Sequence, residues 1–356
     1  MNYYYNFHNL FSVSANTDYF DGLLHAFRRQ ESDDARTTFQ FKLDNELKVS
    51  LKGKPSFNIM LGYDAETDTV EFAYPWIRPV YARLTFGPDG FVFTCNRNYL
   101  RFSRIVAEGW DLIDVFRSAI MVSLIRSGMY MAHGAAIKLN DEGILIPSFA
   151  NTGKTTAAWM LSKRGAKYLT DELAVLDSHG TCFSLPCSSL LTSKLIQSLG
   201  LNLTNRQKVS LRLNDLKSRL LSVRFVAGGL RLHPEVFFEV CDDVKIAKAM
   251  FIQNGIDDFR KLTIDEATAR FMAIRSYELG WDSNPYLVAE SFFNPEFDLE
   301  ELRKRERAFV ASFLSGLEDI YLVSSSSHSH YKVLENYNRE VNPNPPLPMA
   351  QSRSHR

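Results

Sequence analysis

The segment PSFANTGKTT, residues 147–156, limits the folds open to this chain more than any other stretch of the sequence. The apolar run Gly143–Ile146 before it predicts a short strand, and Thr155 to Arg164 after it predicts a helix. A glycine loop between a strand and a helix places successive backbone amides at the positive end of the helix. The segment therefore predicts an anion-binding loop in an α/β core.

The loop matches the Walker A phosphate-binding motif at every defining position except the first glycine, where Ser148 stands. Gly153 admits a ligand closely, the Lys154 charge reaches the β and γ phosphates, and the Thr155 hydroxyl is placed to bind Mg²⁺. A serine adopts many turn geometries, so the match is imperfect without being invalid. A chance surface turn is the alternative, and the flanking strand and helix argue against it. The residues predicted to bind ATP are Ser148, Asn151, Thr152, Gly153, Lys154, Thr155 and Thr156.

Two further features accompany the loop. Asp171-Glu172 stands at the end of a predicted strand, and in a parallel or mixed sheet a neighbouring strand end brings such a pair to the edge that carries the loop. Phosphoryl transfer needs one acidic group near the metal and another that accepts the proton of the attacking hydroxyl. A solvated turn or a helix cap is the alternative.

His133-Gly134 precedes the strand that pairs with the loop strand. A lone histidine is usually a packing residue. A glycine at the start of a strand, however, lets the backbone approach a ligand closely, so His133 is a candidate site residue.

Together, residues 133–177 resemble the catalytic core of the HPr kinase/phosphorylase family. The shared order is His-Gly, a short hairpin, the Walker A loop, a helix ending in Lys163-Arg164-Gly165, and an acidic pair before a strand. The resemblance implies an α/β fold with a P-loop kinase core like that of ATP-dependent phosphoenolpyruvate carboxykinase. It also implies transfer of the γ-phosphoryl group of ATP to a serine hydroxyl.

The resemblance also implies roles for individual residues. Lys154 would contact the phosphates, Thr155 would bind Mg²⁺, and Asp171 would act as the base towards the acceptor hydroxyl. Glu172 would assist the metal, and His133 would support the carboxylates or the phosphates. The chain departs from the family at Ser148, at Glu172 in place of aspartate, and in lacking a counterpart of the glycine-rich segment that follows the core. It therefore resembles a divergent member. Arg231 is interpreted as an ion-pair residue more readily than as a phosphate clamp.

Hydrophobic patterning divides the chain into three parts. Alternating runs between Thr37 and Asn96, with turns at Asp44-Asn45 and Gly87–Gly90, predict a smaller, mainly β N-terminal domain over residues 1–105. Residues 106–323 are predicted to form the HPr-kinase-like nucleotide-binding domain. Residues 324–356, Ser/His-rich and then Asn/Pro-rich, are predicted to be a disordered tail.

Composition limits the partners. The 41 basic and 41 acidic residues balance, so no net field draws the chain to nucleic acid or to an anionic membrane. The apolar stretch from Leu112 to Met131 is interrupted by Asp114, Arg117 and Arg126, which argues against a membrane span. The N-terminus lacks the basic and apolar regions of a secretory signal, so a cytoplasmic location is expected. The cysteines lack paired CxxC spacing and are interpreted as reduced packing residues: Cys95, Cys182, Cys187 and Cys241.

The sequence thus predicts an ATP- and Mg²⁺-dependent phosphotransferase whose acceptor is a hydroxyl of a peptide, protein or small molecule. A non-catalytic ATP-binding sensor or scaffold is the alternative, and Ser148 and Glu172 are the features that favour it. Chemistry of the carboxykinase kind ranks third, because the additional metal-binding His and Lys residues it requires are not evident. The acceptor and the oligomeric state are not determined by the sequence, which leaves a homo-oligomer open.

Overall fold

The structure is a computed structural model, and it describes residues 3–20, 28–29, 38–75, 78–87, 90–103, 111–185, 189–221 and 229–325. Two compact units divide the chain. The first comprises Met1–Met131 and Met272–Ser312, and the second comprises Ala132–Phe271 and Phe313–Arg356. Each unit is therefore built partly from a segment that is remote in sequence from the rest of it.

The strands and helices are numbered here in chain order. The strands of the described part are β1 (Tyr3–Phe7), β2 (Phe11–Ala15), β3 (Arg28–Arg29), β4 (Phe39–Leu43), β5 (Leu61–Asp64), β6 (Thr69–Tyr74), β7 (Val80–Phe86), β8 (Phe91–Cys95), β9 (Tyr130–Leu139), β10 (Glu142–Pro147), β11 (Lys167–Thr170), β12 (Leu173–Leu176), β13 (Thr181–Phe183), β14 (Ser189–Leu191), β15 (Leu230–Leu232), β16 (Asp243–Asn254), β17 (Asp258–Lys261) and β18 (Asp319–Ser325). The α-helices are α1 (Arg97–Ser103), α2 (Leu112–Arg126), α3 (Lys154–Lys163), α4 (Ser193–Leu199), α5 (Asn205–Leu221), α6 (Ile264–Glu278), α7 (Pro285–Phe293) and α8 (Leu299–Ser315).

The first unit contains a mixed eight-stranded sheet in the order β3-β1-β2-β4-β8-β7-β6-β5. Buried positions alternate along β7 and β8, as expected of strands with one face on a core, and these strands form the predicted hairpin around Gly87–Gly90. The turn predicted at Asp44-Asn45 is present, with the Leu47 amide donating to the Asp44 carbonyl at 3.3 Å, but no paired strand follows it: β4 lies between β2 and β8, parallel to both, and residues 48–52 form no strand. Val49 is buried without pairing, so alternation there indicated burial alone.

Aromatic packing explains why the first unit extends beyond the predicted boundary at residue 105. Phe116 of α2 packs its ring on Phe20 and Phe39, with centroids 5.0 and 5.3 Å away. Tyr286 of α7 meets the ring of Phe93 at 5.7 Å, and its hydroxyl lies 3.2 Å from that of Tyr99. The structure therefore divides the chain differently from the predicted 1–105 and 106–323. An amphipathic pattern shows that a helix has a buried face, but not which sheet that face covers.

The second unit is built on the sheet order β10-β9-β12-β13-β16-β18-β17, with β11 also on β9. β10 also pairs with β16 in parallel, which closes a ring of five hydrogen-bonded strands: β10, β9, β12, β13 and β16. Gly143 permits this closure, because a Cβ there would lie 2.5 Å from the carbonyl oxygen of Lys245. Trp159 of α3 is fully buried in the core beneath the sheet, together with Tyr168 and Ile146.

The α/β class and the order of elements around the glycine loop are confirmed at this level. The fold is mixed α/β, the β9–β10 hairpin precedes the glycine loop, and α3 follows it. The predicted disordered tail begins two residues too early, because Ser324 and Ser325 pair with β16 and end β18 as buried residues; residues 326–356 lie outside the described residues. No helix within the described ranges is long and apolar enough to cross a membrane. The described cysteines are free thiols, and Cys187 lies outside those ranges.

A buried ion pair fixes α6 to α8 within the first unit. Glu306 is fully buried and faces Arg275, with a 2.6 Å contact between Oε2 and Nη2 and a 2.8 Å hydrogen bond from Nε to Oε1. Trp281 Nε1 donates to the same Oε1 at 3.1 Å. Asp282 holds the other side of Arg275 at 2.8 Å. Removing one partner would leave an uncompensated buried charge.

Glu306→Ala is therefore expected to lower the free energy of unfolding by about 3–5 kcal/mol, because it leaves Arg275 buried without its main partner. Urea denaturation followed by circular dichroism measures the change. Glu300→Ala on the same helix is the matched control: Glu300 pairs with Arg303 at 3.2 Å on the surface, and its loss is expected to cost about 0–1 kcal/mol. Equal losses in both variants would contradict the assignment.

Candidate functional site

Strand pairing places the glycine loop and the acidic pair at the same end of β9. β10 and β11 each run antiparallel to β9, so both carboxyl ends lie at the end of β9 that holds His133 and Gly134. Pro147, the last residue of β10, pairs with Gly134, and the Gly134 amide donates to the Glu172 carbonyl at 3.0 Å. The structure therefore brings together three segments that the sequence analysis singled out separately.

Two residues of the loop from Ser148 to Gly153 have positive φ. Asn151 has φ 61° and Gly153 has φ 105°, backbone conformations that Asn and Gly adopt most easily. Gly153 is the N-cap of α3 and has no side chain that could accept from the first amides of the helix. The first amides of a helix have no acceptor within the helix, so the start of α3 directs donors and the positive end of the dipole towards the loop. This arrangement suits a phosphate.

A pair of hydroxyls closes the base of the loop. Ser148 is fully buried, and the Thr152 hydroxyl lies 2.7 Å from its Oγ and 2.8 Å from the Phe149 carbonyl oxygen. Ser148 is not among the described residues with a positive φ. The conformational freedom of the first Walker A glycine is thus not needed at this position. In its place, the serine hydroxyl accepts a hydrogen bond across the loop.

His133 contacts the loop backbone. Its ring is buried, and Nδ1 lies 2.9 Å from the carbonyl oxygen of Ser148. Because a carbonyl only accepts, the hydrogen is on Nδ1 in this contact. Gly134, next to His133, allows β9 and β10 to come close together. A Cβ at this position would lie 3.0 Å from the Ile146 carbonyl oxygen and 3.2 Å from Pro147 Cα. The glycine was expected to admit a ligand, and in the structure it admits the neighbouring backbone.

Asp171 is the most strongly buried carboxylate of the site, with 5% of its surface exposed. Burial raises the pKa of the Asp171 carboxyl above its ordinary value; the nearby hydroxyls of Ser189, Tyr168 and Thr155 lower it in part, and the Glu172 charge raises it. Thr155 is thereby linked to the acidic pair. Two residues predicted to meet around a phosphate, one on α3 and one after β11, lie together.

A second layer holds Asp171 in place. Trp159 Nε1 donates to Ser189 Oγ at 3.2 Å, so the Ser189 hydroxyl bridges the Trp159 indole and the Asp171 carboxylate. Ser189 and Tyr168 were missed by the sequence analysis. Ser189 lies 30 residues from Trp159 in sequence, on a short strand without a motif, and no sequence signal marks it.

The remaining predicted residues lie in or near this region. Lys154 begins α3 and is 7% exposed, and Thr156 and Glu172 are half-buried. Arg231 is exposed on β15 opposite Leu190. Across the described ranges, no group of three or more His, Cys, Asp and Glu side chains is arranged to hold a metal ion. A metal at this site would therefore need Thr155, one carboxylate and oxygens from a ligand.

Thr152→Val tests the hydroxyl closure of the loop. The substitution keeps the side-chain shape but removes the hydrogen bonds to Ser148 and Phe149, so the loop amides lose their fixed arrangement. Affinity for magnesium ATP, measured by calorimetry, is expected to fall about two- to tenfold, equivalent to one ordinary hydrogen bond. Thr152→Ser, which retains the hydroxyl, should bind nearly as the parent does. An unchanged affinity in the valine variant would contradict this role.

No protein-family model and no curated protein sequence matches the chain. Among solved structures, the HPr(Ser) kinase/phosphatase from Coxiella burnetii is similar with a TM-score of 0.28 and 10% sequence identity, over 59% of this chain and 95% of that chain. A similarity of this size carries no argument about the fold or the activity of this protein. The functional assignment therefore depends on the geometry of the loop and of Asp171.

Proposed function

We propose that this protein is an ATP- and Mg²⁺-dependent phosphotransferase that transfers the γ-phosphoryl group to a hydroxyl of a peptide, protein or small molecule, on a P-loop core of the phosphoenolpyruvate carboxykinase kind. One observation carries the proposal. A buried carboxylate, Asp171, lies close enough to Thr155, at the start of the helix that follows the glycine loop, for the Thr155 hydroxyl to lower its pKa. A phosphate-binding loop in contact with a candidate base is the minimum that phosphoryl transfer requires.

The loop fits a triphosphate. Left-handed Asn151 and Gly153 turn the backbone into a concave run, and Lys154 adds a cation at the first position of α3. When bound, ATP supplies the phosphoryl group, and Mg²⁺ offsets the charge of its phosphate oxygens. Ser148 and Thr152 keep the loop in shape through their hydroxyl contact.

Thr155 serves two partners at once in this proposal. If its hydroxyl donates to the nearby Asp171 carboxylate, the oxygen lone pairs remain for a metal ion. Glu172 follows Asp171 directly and is half-exposed, so its carboxylate is placed to assist the same ion. The additional methylene of glutamate extends its reach compared with the aspartate of the resembled family.

Asp171 retains capacity for an acceptor hydroxyl. A carboxylate offers about four lone-pair positions, more than the three nearby hydroxyls of Ser189, Tyr168 and Thr155 could fill even together. A position therefore remains for a substrate O–H. A base is most effective when its pKa approaches the working pH, and burial moves the pKa of Asp171 in that direction. Trp159, acting through Ser189, keeps the carboxylate oriented.

The alternative is a nucleotide sensor that binds ATP without chemistry. The 5% exposure of Asp171 favours it, because an acceptor must reach a carboxylate that is nearly closed off. Incubation with ATP labelled on the γ-phosphate separates the two functions. A sensor returns the nucleotide intact, whereas a phosphotransferase releases label to water or to a hydroxyl acceptor.

Asp171→Asn tests the role of the base. We expect basal ATP hydrolysis, in which water replaces the acceptor hydroxyl, to fall by about 10²-fold or more. Affinity for magnesium ATP should stay within about threefold, because the loop amides and Lys154 remain. Asp141→Asn, on the exposed turn between β9 and β10, is the control and should change neither quantity. Turnover retained in the Asp171 variant would refute the assignment.

The pH dependence of turnover gives an independent test. The base must be ionised, so the rate should fall as the solution is acidified through the pKa of Asp171. Burial raises that pKa, so the midpoint should lie above the ordinary aspartate value of about 4. A midpoint at or below this value in a pH profile of kcat would contradict the proposal.

The same shift predicts the stability of the variant. A carboxyl whose pKa is raised in the folded protein stabilises the fold below its ordinary pKa, and this contribution is lost as the pH rises through the folded value. Above that folded value, the ionised Asp171 therefore costs stability. Asp171→Asn should have a Tm at pH 7 no lower than that of the parent, so its loss of turnover cannot be attributed to unfolding. A clearly lower Tm would contradict this prediction.

A further inference from the structure

A cavity of about 320 Å³ lies in the first unit, between the C-terminal end of α2 and the middle of α8. Such a volume lies at the lower end of the range of small-molecule sites, about 300–1,000 Å³. Its apolar wall comes from Ile125, Met129 and Phe309. The Phe309 ring is itself held by stacking on Tyr130, with the centroids 5.7 Å apart. The wall is thus a fixed apolar surface.

Two guanidinium groups line the same cavity. Arg126 ends α2 and Arg305 lies on α8. Burial, and then the charge of Arg305, lower the pKa of Arg126, so the two cations are near enough to repel. The Arg126 guanidinium lies 5.2 Å from the centre of the Phe297 ring, a contact that positions it without neutralising it. Glu290 and Asp68 act on Arg126 in the opposite direction.

The two carboxylates on α8 at the cavity already have cationic partners. Glu306 lines the cavity, but both of its oxygens are engaged by Arg275, and Oε1 also accepts from Trp281. Glu301 pairs with Arg305 at 3.0 Å, on a surface where both side chains are about half exposed and the pair is weak. Among the residues that line the cavity, two arginines thus stand beside an apolar wall, and the charge of the lining carboxylate, Glu306, is offset by Arg275.

We propose that this cavity binds a small organic anion, a carboxylate or phosphate joined to an apolar body. The anionic group lies between Arg126 and Arg305, and the apolar body lies against Met129 and Phe309. An oxyanion that bridges two guanidiniums replaces their repulsion with charge-assisted hydrogen bonds, which are about twice as strong as neutral ones. This site is independent of the proposed phosphotransferase, because none of its residues belongs to the glycine loop or the acidic pair.

The test uses the full chain labelled with ¹³C at the methionine methyls. The Met129 signal, assigned by its loss in Met129→Leu, reports from inside the cavity. Phenyl phosphate is expected to shift this signal saturably. Inorganic phosphate and benzyl alcohol, which supply only the anion or only the apolar body, should each bind more weakly. If benzyl alcohol bound as tightly as phenyl phosphate, the cavity would be only an apolar crevice and the proposed anion site would be refuted. The absence of a saturable shift with phenyl phosphate would also refute it.

Charge variants complete the test. Arg126→Gln and Arg305→Gln should each weaken phenyl phosphate binding by roughly tenfold, the loss of one charge-assisted hydrogen bond. Arg307→Gln is the matched control, since Arg307 is exposed on α8 and does not line the cavity. It should bind as the parent does, and thermal melting checks that all three variants fold. An equal loss in the Arg307 variant, or no loss in the other two, would overturn the proposal.

Discussion

The close approach of three backbone segments at Gly134 is the constraint on which the candidate site depends. Pro147, at the end of β10, pairs with Gly134, and the carbonyl of Glu172 accepts its amide hydrogen. A Cβ at this position would lie 3.0 Å from the Ile146 carbonyl oxygen, so any larger residue would push β10 away. Because β10 and β11 share their direction, this contact brings the glycine loop and the acidic pair to one place. His133 then ties the first residue of the loop to β9.

The same arrangement determines the electrostatics of the site. Asp171 follows a buried strand, so its carboxylate lies beneath the loop and loses most of its hydration. The Ser189, Tyr168 and Thr155 hydroxyls replace that hydration in part, and the result is a raised pKa. A carboxylate held in this way costs stability when ionised. Buried, destabilising polar groups are commonly retained where a protein needs their chemistry.

Local patterns in the sequence were enough to predict the strand, loop and helix around Lys154, because each depends on neighbours within a few residues. They did not predict the contact between the Ser148 and Thr152 hydroxyls. Ser148 is the residue at which the loop departs from the motif, and its hydroxyl makes a hydrogen bond within the loop. Nor did they identify Ser189, which meets Trp159 only through the fold. The return of residues 272–312 to the first unit has the same cause, since it is decided by which aromatic side chains meet.

The buried carboxylates of this chain differ in what occupies their oxygens. Both oxygens of Glu306 face the Arg275 guanidinium, and those of Glu71 face Arg83 and Lys54 at 2.6 Å each. Such carboxylates have fixed cationic partners on both oxygens, so a substrate hydroxyl would have to displace an ion pair to reach them. Burial, hydroxyl groups and the repulsive charge of Glu172 set the pKa of Asp171. Hydroxyl neighbours orient a carboxylate without neutralising its charge, so Asp171, unlike Glu306 and Glu71, is able to accept a proton without an ion pair being displaced.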